Sequence, residues 1–554
     1  MTIDYKLLDL LRMGRSEHEN HLIDGLVSGR INRRDFLRFG SGLGMSLPLL
    51  GGVAGTVGLL GAPRAARAQT PGGTIRVAQI VPAAAIEPVK LADAGGITVI
   101  SQVGETLVVS GKDLVARPLL AESWSPNKDG TVWTFKIRKG VKFHDGSPMT
   151  AKDVVASIDR IADPANGSNA LSALKGVLSK GGAKQIDDFT VEFHLDAPNG
   201  NFPYTLSTDN YNAIIIPADY SGDFESKMIA TGPFKLEKYT PKVGASFVRN
   251  DDYWGGKALP DRVEISFYDD YQPQILALQG GQVDFIQQVP ILQAAGILND
   301  PSVDMLPIPS IAHQQVHMRT DKDPFKDKRV RQAIALCLDR EKIVQGLMKG
   351  KAQIGNDSPF AGAYPSSDKS VPQRKKDIAK AKELMAAAGM ADGFEVTLTT
   401  EKYLEIPDYA VIIQNAVKEI GGKINLNVMD QGAYYGDAVY GKSNWLDSDM
   451  GITDYGHRGV PNVYLTAPLQ SEGTWNSAHF KNKDYDGLVK GYIAALDLEA
   501  QQAVAGKIQT LLLDETPILF TYFYDYMSAA KKGSTGIEVT AMAHLFLHGA
   551  KIGA

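Results

Sequence analysis

Two α/β lobes joined by a hinge, with an additional subdomain in the first lobe, are the architecture that this 554-residue chain predicts. Three observations carry it. Between Gly72 and Pro309 strand-like alternation dominates and helices are few. Beyond Pro309, helical stripes alternate with strands in a βαβ order. At Pro517 a strand-like run returns after two amphipathic helices, so segments of one lobe flank the other. An order of this kind makes a hinge and a cleft.

The composition is that of an ordinary globular chain, 44% hydrophobic and 22% charged with a formal net charge of −5, and the length is enough for two or three domains. Mild acidity argues against a nucleic-acid partner, which calls for a basic surface. The N-terminus has a different balance. Arg33-Arg34-Asp35-Phe36-Leu37 precedes an uncharged, glycine-diluted run from Phe39 to Ala62, and Ala66-Arg67-Ala68 follows. A charged region, an apolar region and an A-x-A end read as a secretory signal, and the paired arginines as a twin-arginine (Tat) one, cleaved near Ala68-Gln69. Removing nine of the 58 basic and six of the 63 acidic residues with it leaves 49 against 57, a formal net charge of −8. No cysteine follows the apolar run and the single Cys337 has no partner in the chain, so neither a lipid anchor nor an internal disulfide is expected.

Gly72 to Ala78 starts the mature fold as a strand. From Leu119 the sequence LLAESWSPNKDGTVWTFKIRKGVKFHDGSPMTAKD turns at Asn127 to Gly130. It then alternates, with Trp133, Phe135 and Ile137 apolar against Thr134, Lys136 and Arg138. Gly140 separates a second short alternation, Val141 and Phe143. Thr150 and Asp153 form a capping-box-like start for a helix that turns Val154, Val155, Ile158 and Ile161 inward and stops at Asp163-Pro164. Phe189 to Leu195 is a further strand. His144-Asp145 could be a base and its orienting carboxylate, but no nucleophile is placed nearby and a polar turn is the better reading.

The A-E-S-W, F-x-I-R-x-G-V-K-F-H-D-G and T-A-x-D-V runs closely resemble the signature of the family 5 extracellular solute-binding proteins, the dipeptide-, oligopeptide- and nickel-binding proteins of ABC importers. Thr231-Gly232-Pro233-Phe234, Arg249-Asn250-Asp251-Asp252-Tyr253-Trp254, Glu105-Thr106-Leu107-Val108 and Pro324-Phe325 followed by Arg329 to Ile334 extend the resemblance. Glu87 and Gly104 depart from the pattern. The resemblance runs from about Gly72 to the C-terminus and implies a periplasmic-binding-protein-like fold with the solute enclosed between the lobes. The expected segments are a signal at 1–68, lobe I at 69–309 with a subdomain at about 104–227, lobe II at 310–516, and a return to lobe I at 517–554.

In lobe II, Ile311 to Met318 reads as a strand, and Val330, Ala333, Ile334, Cys337 and Leu338 share one helical face. Cys337 is thereby an inert core residue rather than a nucleophile. A helix from Asp377 ends at Gly389, a C′ glycine. Strand Phe394 to Leu398, helix Tyr409 to Ile420 and strand Ile424 to Val428 form the βαβ pattern, and two helices lie between Tyr485 and Leu513.

No nucleophile elbow, phosphate loop, H-E-x-x-H or C-x-x-C occurs, so no enzyme and no cofactor is expected. His313 and His317 share a strand face, yet nothing else supplies the ligands a metal site needs. Thr453-Asp454-Tyr455 is the strongest binding candidate. In peptide-binding relatives a D-Y or D-N element pairs with the peptide's α-ammonium, and Asp454 matches that position. This sequence departs on either side, with Met450-Gly451 before it and Gly456-His457-Arg458-Gly459 after. Arg319 and Arg458 could meet a solute carboxylate. Tyr434, Tyr435, Trp445 and Trp475 could pack against a solute or form lobe core. The implied role is a periplasmic, monomeric binding protein that carries a peptide-like solute to an ABC permease and its ATPase subunits, after export by the Tat translocase. Nickel chelates, opines or oligosaccharides are alternative solutes. A secreted hydrolase and a chemoreceptor-docking or chaperone role are alternatives of another kind.

Overall fold

The computed structural model describes residues 16–28, 30–31, 36, 72–436 and 438–553. It divides into two units, Met1–Pro71 and Gly72–Ala554. In the first, helix Glu17–Val27 is closed by a capping box. The Ser16 N–H donates to Glu19 Oε2 at 2.9 Å, and the Glu19 N–H to Ser16 Oγ at 3.3 Å. The arginine pair, the apolar run and the A-x-A end of the expected signal lie outside the described residues. Among the described residues no helix is long and apolar enough to cross a membrane.

The second unit holds two α/β lobes, each built on its own sheet. The first lobe's sheet has seven strands, in the order Val303–Ile308, Tyr526–Lys531, Phe285–Ile286, Thr74–Ile80, Arg262–Tyr268, Gly244–Arg249, Phe234–Thr240. Thr74–Ile80 runs parallel to both neighbours, and every other pairing is antiparallel. A four-stranded antiparallel sheet of Ala121–Pro126, Val132–Ile137, Thr190–His194 and Ala183–Asp187 is inserted in this lobe. Alternation puts Trp133, Phe135 and Ile137 on its buried face, where Phe193 and the Val154, Ile158 and Ile161 side of helix Ala151–Ala162 meet them. The Thr150 N–H donates to Asp153 Oδ2 at 2.8 Å to cap that helix.

The second lobe's sheet has six strands, in the order Ala352–Ile354, Ile518–Tyr524, His313–Met318, Met450–Tyr455, Phe394–Glu401, Gly422–Met429. The last three are parallel, and the other pairings are antiparallel. Gly421, at φ +78°, makes the turn into Gly422–Met429, and Gly389, at φ +75°, follows helix Ile378–Ala387.

Two segments cross between the lobes. The chain leaves the seven-stranded sheet after Ile308 and enters the six-stranded one at His313, and it goes back between Tyr524 and Tyr526. The two crossings are hydrogen-bonded to each other, the Tyr524 N–H donating to the Ala312 carbonyl at 2.9 Å. The expected return to lobe I at 517 is therefore corrected. Ile518–Tyr524 is a strand of the second lobe, and lobe I resumes at Tyr526. All seven residues of that strand are buried. An apolar run covered on both faces has no period that reveals which sheet it joins.

Candidate functional site

The parallel strands Phe394–Glu401, Gly422–Met429 and Met450–Tyr455 bring their carboxyl ends to one edge of the second lobe. That edge is where ligands collect in open α/β sheets. Asp454 lies there, opposite Gln314 in register, with Glu401 ending the neighbouring strand and Glu405 one turn further on.

These residues form one hydrogen-bonded acidic cluster. Gln314 Nε2 donates to Asp454 Oδ1 at 3.0 Å and to Glu405 Oε1 at 3.2 Å. Tyr524 Oη donates to Asp454 Oδ1 at 2.8 Å, and Tyr522 Oη to Glu405 Oε1 at 3.0 Å. Glu401 accepts from Tyr435 Oη at 2.7 Å and from Gln431 Nε2 at 2.6 Å. Every one of these donors is neutral, and no described lysine or arginine pairs with the three carboxylates. Asp454 Oδ2 accepts no hydrogen bond from a described residue, and the buried Gln314 Oε1 has no partner.

Burial, together with the charges of Glu405 and Glu401, pushes the Asp454 carboxyl up to about 7 against the hydrogen bonds from Tyr524 and Gln314. Burial likewise raises Glu405. An anion held under these conditions is stabilised by any cation that reaches it.

Arg458, four residues after Asp454, donates to the carbonyl of His457 at 2.7 Å and has no carboxylate within ion-pair distance among the described residues. Its charge and that of Asp454 both act on the Tyr464 and Tyr526 phenols. Asp209 of the inserted subdomain also lies near Arg458, and burial pushes it up to about 7. Beside Arg458, the buried His457 accepts the Ile311 N–H on Nδ1 at 3.1 Å. The loop that carries Arg458 is thereby tied to the first crossing between the lobes. Burial and the neighbouring Arg458 hold His457 down at about 3, so it serves as a neutral acceptor.

The aromatic candidates gather in one train. Tyr435 meets Trp445 at 5.2 Å between ring centroids, Trp445 meets Trp475 at 6.2 Å, and Trp475 meets Tyr455 at 6.1 Å. Tyr455 stacks on His313 at 5.8 Å, inside a cage that includes Tyr464, Phe520 and Phe523. Tyr455 and Trp445 are buried there as core. Tyr435 is the member whose hydroxyl joins the acidic cluster, while Tyr434 bonds with Thr453 at 2.8 Å.

Arg319 stands apart from this site. It lies five residues beyond Gln314, roughly 17 Å along the strand direction. Asp321 takes its guanidinium bidentately at 2.8 and 2.9 Å, and the Asp447 carbonyl accepts a third N–H at 3.0 Å. A solute carboxylate would have to displace a built ion pair.

The remaining candidates have structural partners. His144 bonds the Met228 and Gly232 carbonyls at 3.3 and 3.0 Å, while Asp145 accepts from Ser147, so the two do not work as a pair. His317 faces the Ser448 carbonyl at 3.2 Å, and burial holds His313 and His317 at about 4. Among the described residues no group of three or more His, Cys, Asp or Glu is placed to hold a metal. Cys337 is buried, donates to the Ala333 carbonyl at 3.3 Å, and is pushed up to about 12 by that burial. Gln314, Glu401, Glu405, Asp209 and His457 were not expected as site residues. No spacing in the sequence links them, because strand register and lobe packing bring them together.

The sequence matches the family model for bacterial extracellular solute-binding proteins, family 5 Middle, over residues 116–477. It is 27% identical over 429 residues to heme-binding protein A of Haemophilus influenzae, covering 72% of this chain and 77% of that protein. To the glutathione-binding protein GsiB of Salmonella typhimurium it is 26% identical over 449 residues, covering 77% and 84%. HbpA2 of Haemophilus parasuis shares the fold with a TM-score of 0.77 at 23% identity, covering 87% of this chain and 100% of that one. The family match takes in well over half of the 554 residues, the inserted subdomain and most of the second lobe: the chain belongs to the bacterial extracellular solute-binding proteins of family 5.

Proposed function

We propose that this chain is the periplasmic component of an ABC importer for a short peptide or peptide-like zwitterion. Residues 1–68 act as a twin-arginine signal, and the mature protein is a monomer. It binds by closing the two lobes about the crossings at 309–312 and 525, which shifts the population toward the form its permease reads. It makes and breaks no bonds. The observation that carries this reading is the acidic cluster. Among the described residues Asp454, Glu401 and Glu405 have neutral donors only, and Asp454 keeps one oxygen open. An α-ammonium fits that oxygen with a charge-assisted bond worth about 1.5–3 kcal/mol. Arg458, whose charge acts on the same Tyr464 and Tyr526 phenols as that of Asp454, supplies the opposite charge for a carboxylate. The glutathione-binding relative is in keeping with a small peptide as solute.

Titration calorimetry with glutathione and tri-alanine tests it. We expect the wild-type protein to bind at least one of them. N-acetylation of that peptide, or Asp454→Asn, should weaken binding by about ten- to hundredfold. Equal affinity for the free and N-acetylated peptide would overturn the ammonium assignment.

A further inference from the structure

A second space lies beyond Arg458. Between the inserted subdomain and the second lobe is a cavity of about 530 Å³, within the range that encloses small-molecule ligands. Val177 and Pro198 line it from the subdomain, and Val460, Val463, Ile493 and Ala494 from the second lobe. Arg458 also lines it, the cation whose charge acts together with that of Asp454 on the Tyr464 and Tyr526 phenols.

The walls are built. The Gly200 N–H donates to the Ile493 carbonyl at 2.8 Å. Asn201 Nδ2 donates to Asn462 Oδ1 at 3.0 Å, and Gln501 Nε2 donates to Asn201 Oδ1 at 3.0 Å. Two glycines allow the approach. A Cβ on Gly200 would sit 1.8 Å from the Ala495 carbonyl oxygen, and one on Gly459 would sit 1.7 Å from Asp209 Oδ2. Backbone contact at one side and the Asp209–Gly459 contact at the other thus hold subdomain and lobe together around a mostly apolar space. The subdomain that looks like pure scaffold in the sequence supplies a wall of it.

We infer that this chamber receives the far end of the solute, a large apolar side chain whose neighbouring carboxylate meets Arg458. The inference rests on the peptide reading above and narrows it. The preferred solute has a free ammonium at one end and a bulky apolar residue next to a free carboxylate at the other. Small distal residues leave the chamber unfilled.

The test compares Ala-Ala-Ala, Ala-Ala-Phe and Ala-Ala-Phe-amide by calorimetry on the wild-type protein, Val463→Trp, Ala494→Leu and Arg458→Gln. Wild type is expected to bind Ala-Ala-Phe at least tenfold more tightly than Ala-Ala-Ala. Either filled variant should bind Ala-Ala-Phe no more tightly than Ala-Ala-Ala, and Ala494→Leu serves if the larger substitution does not fold. Amidation should cost the wild type about tenfold and Arg458→Gln almost nothing. Tripeptide binding without a preference for Phe overturns the chamber alone. So does a preference that survives filling. Failure of all three alanine-based peptides overturns the chamber, and failure of glutathione as well overturns the peptide reading with it.

Discussion

Glu105 in the first lobe is a buried carboxylate and Asp454 in the second a half-buried one, and both are pushed up to about 7, in each case chiefly by loss of solvation. Their surroundings are opposite. Glu105 accepts from Thr231 Oγ1 at 2.7 Å, Tyr253 Oη at 2.7 Å and Trp254 Nε1 at 2.9 Å. Arg138 lies 4.4 Å over the Trp254 ring and adds a nearby positive charge. These partners come from the runs that carry the family resemblance, so several distant motifs prove to be one hydrogen-bonded hub. Asp454 receives two neutral donors on one oxygen, faces two further carboxylates and keeps its other oxygen open. The same titration shift therefore marks two different things. One carboxylate is locked into scaffold, and the other is left under an electrostatic load that a ligand cation can relieve.

The largest effect should come from breaking the hub. Glu105→Ala leaves the Thr231, Tyr253 and Trp254 donors without their acceptor, and an unsatisfied buried group costs about 1–3 kcal/mol. A loss of about 3 kcal/mol or more, read as a lower urea midpoint, is expected, with affinity for the bound peptide kept in the protein that remains folded. Asp454→Asn should do the reverse and weaken binding without lowering the midpoint. If Glu105→Ala weakened binding while the midpoint held, the division between the two carboxylates would fail.

Much of the scaffold was legible in the sequence. The alternation through Trp133, Phe135 and Ile137 predicts the buried face of a strand, and the Val330 to Leu338 stripe predicts a packed helix. Asp377 and Gly389 bracket a helix because a cap and a left-handed glycine are local chemistry. The site was legible only in part. Asp454 stood out through a resemblance, but Glu401 and Glu405 both fall between the expected strand Phe394 to Leu398 and the helix from Tyr409, and Gln314 reads as a strand amide. Their convergence is a matter of register between strands far apart in sequence. Arg319 was misleading for a different, local reason: Asp321, only two residues away, takes its guanidinium. The extent of the first lobe was blurred at Ile518–Tyr524, where burial on both faces erases the period.

A smaller effect, and one that sharpens the contrast, is the pH dependence. The folded-state value of Asp454 lies above the ordinary carboxylate value near 4. The folded protein then holds a proton that the unfolded chain releases, and the contribution of this group to stability falls as pH rises from about 4 to about 7. Asp454→Asn removes that term, so its melting temperature should gain on wild type between pH 5 and pH 8. Solute affinity should move the other way. Below about pH 7 the free protein carries a protonated Asp454, which an ammonium must displace. Peptide affinity is expected to fall by up to tenfold, about 1.4 kcal/mol, per unit of further acidification. Glu105 titrates in the same window without touching the solute, so the affinity profile should flatten in Asp454→Asn alone. A profile unchanged by that substitution would assign the titration elsewhere.

The smallest expected effect separates Arg458 from Arg319. Both are arginines of the second lobe that a zwitterionic solute could use, yet Arg319 is held bidentately by Asp321 and by the Asp447 carbonyl, whereas among the described residues Arg458 donates to the His457 carbonyl and to no carboxylate. Removing Arg319 leaves Asp321 half-exposed to water, so the cost is a local one in stability and the cleft loses nothing. Arg319→Ala is expected to bind the peptide within about twofold of wild type, whereas Arg458→Gln weakens a free carboxylate and spares its amide. If Arg319→Ala lost affinity for the acid alone, the Asp321 pair would have to open on binding. The carboxylate end of the solute would then lie along the His313–Met318 strand rather than toward the inserted subdomain.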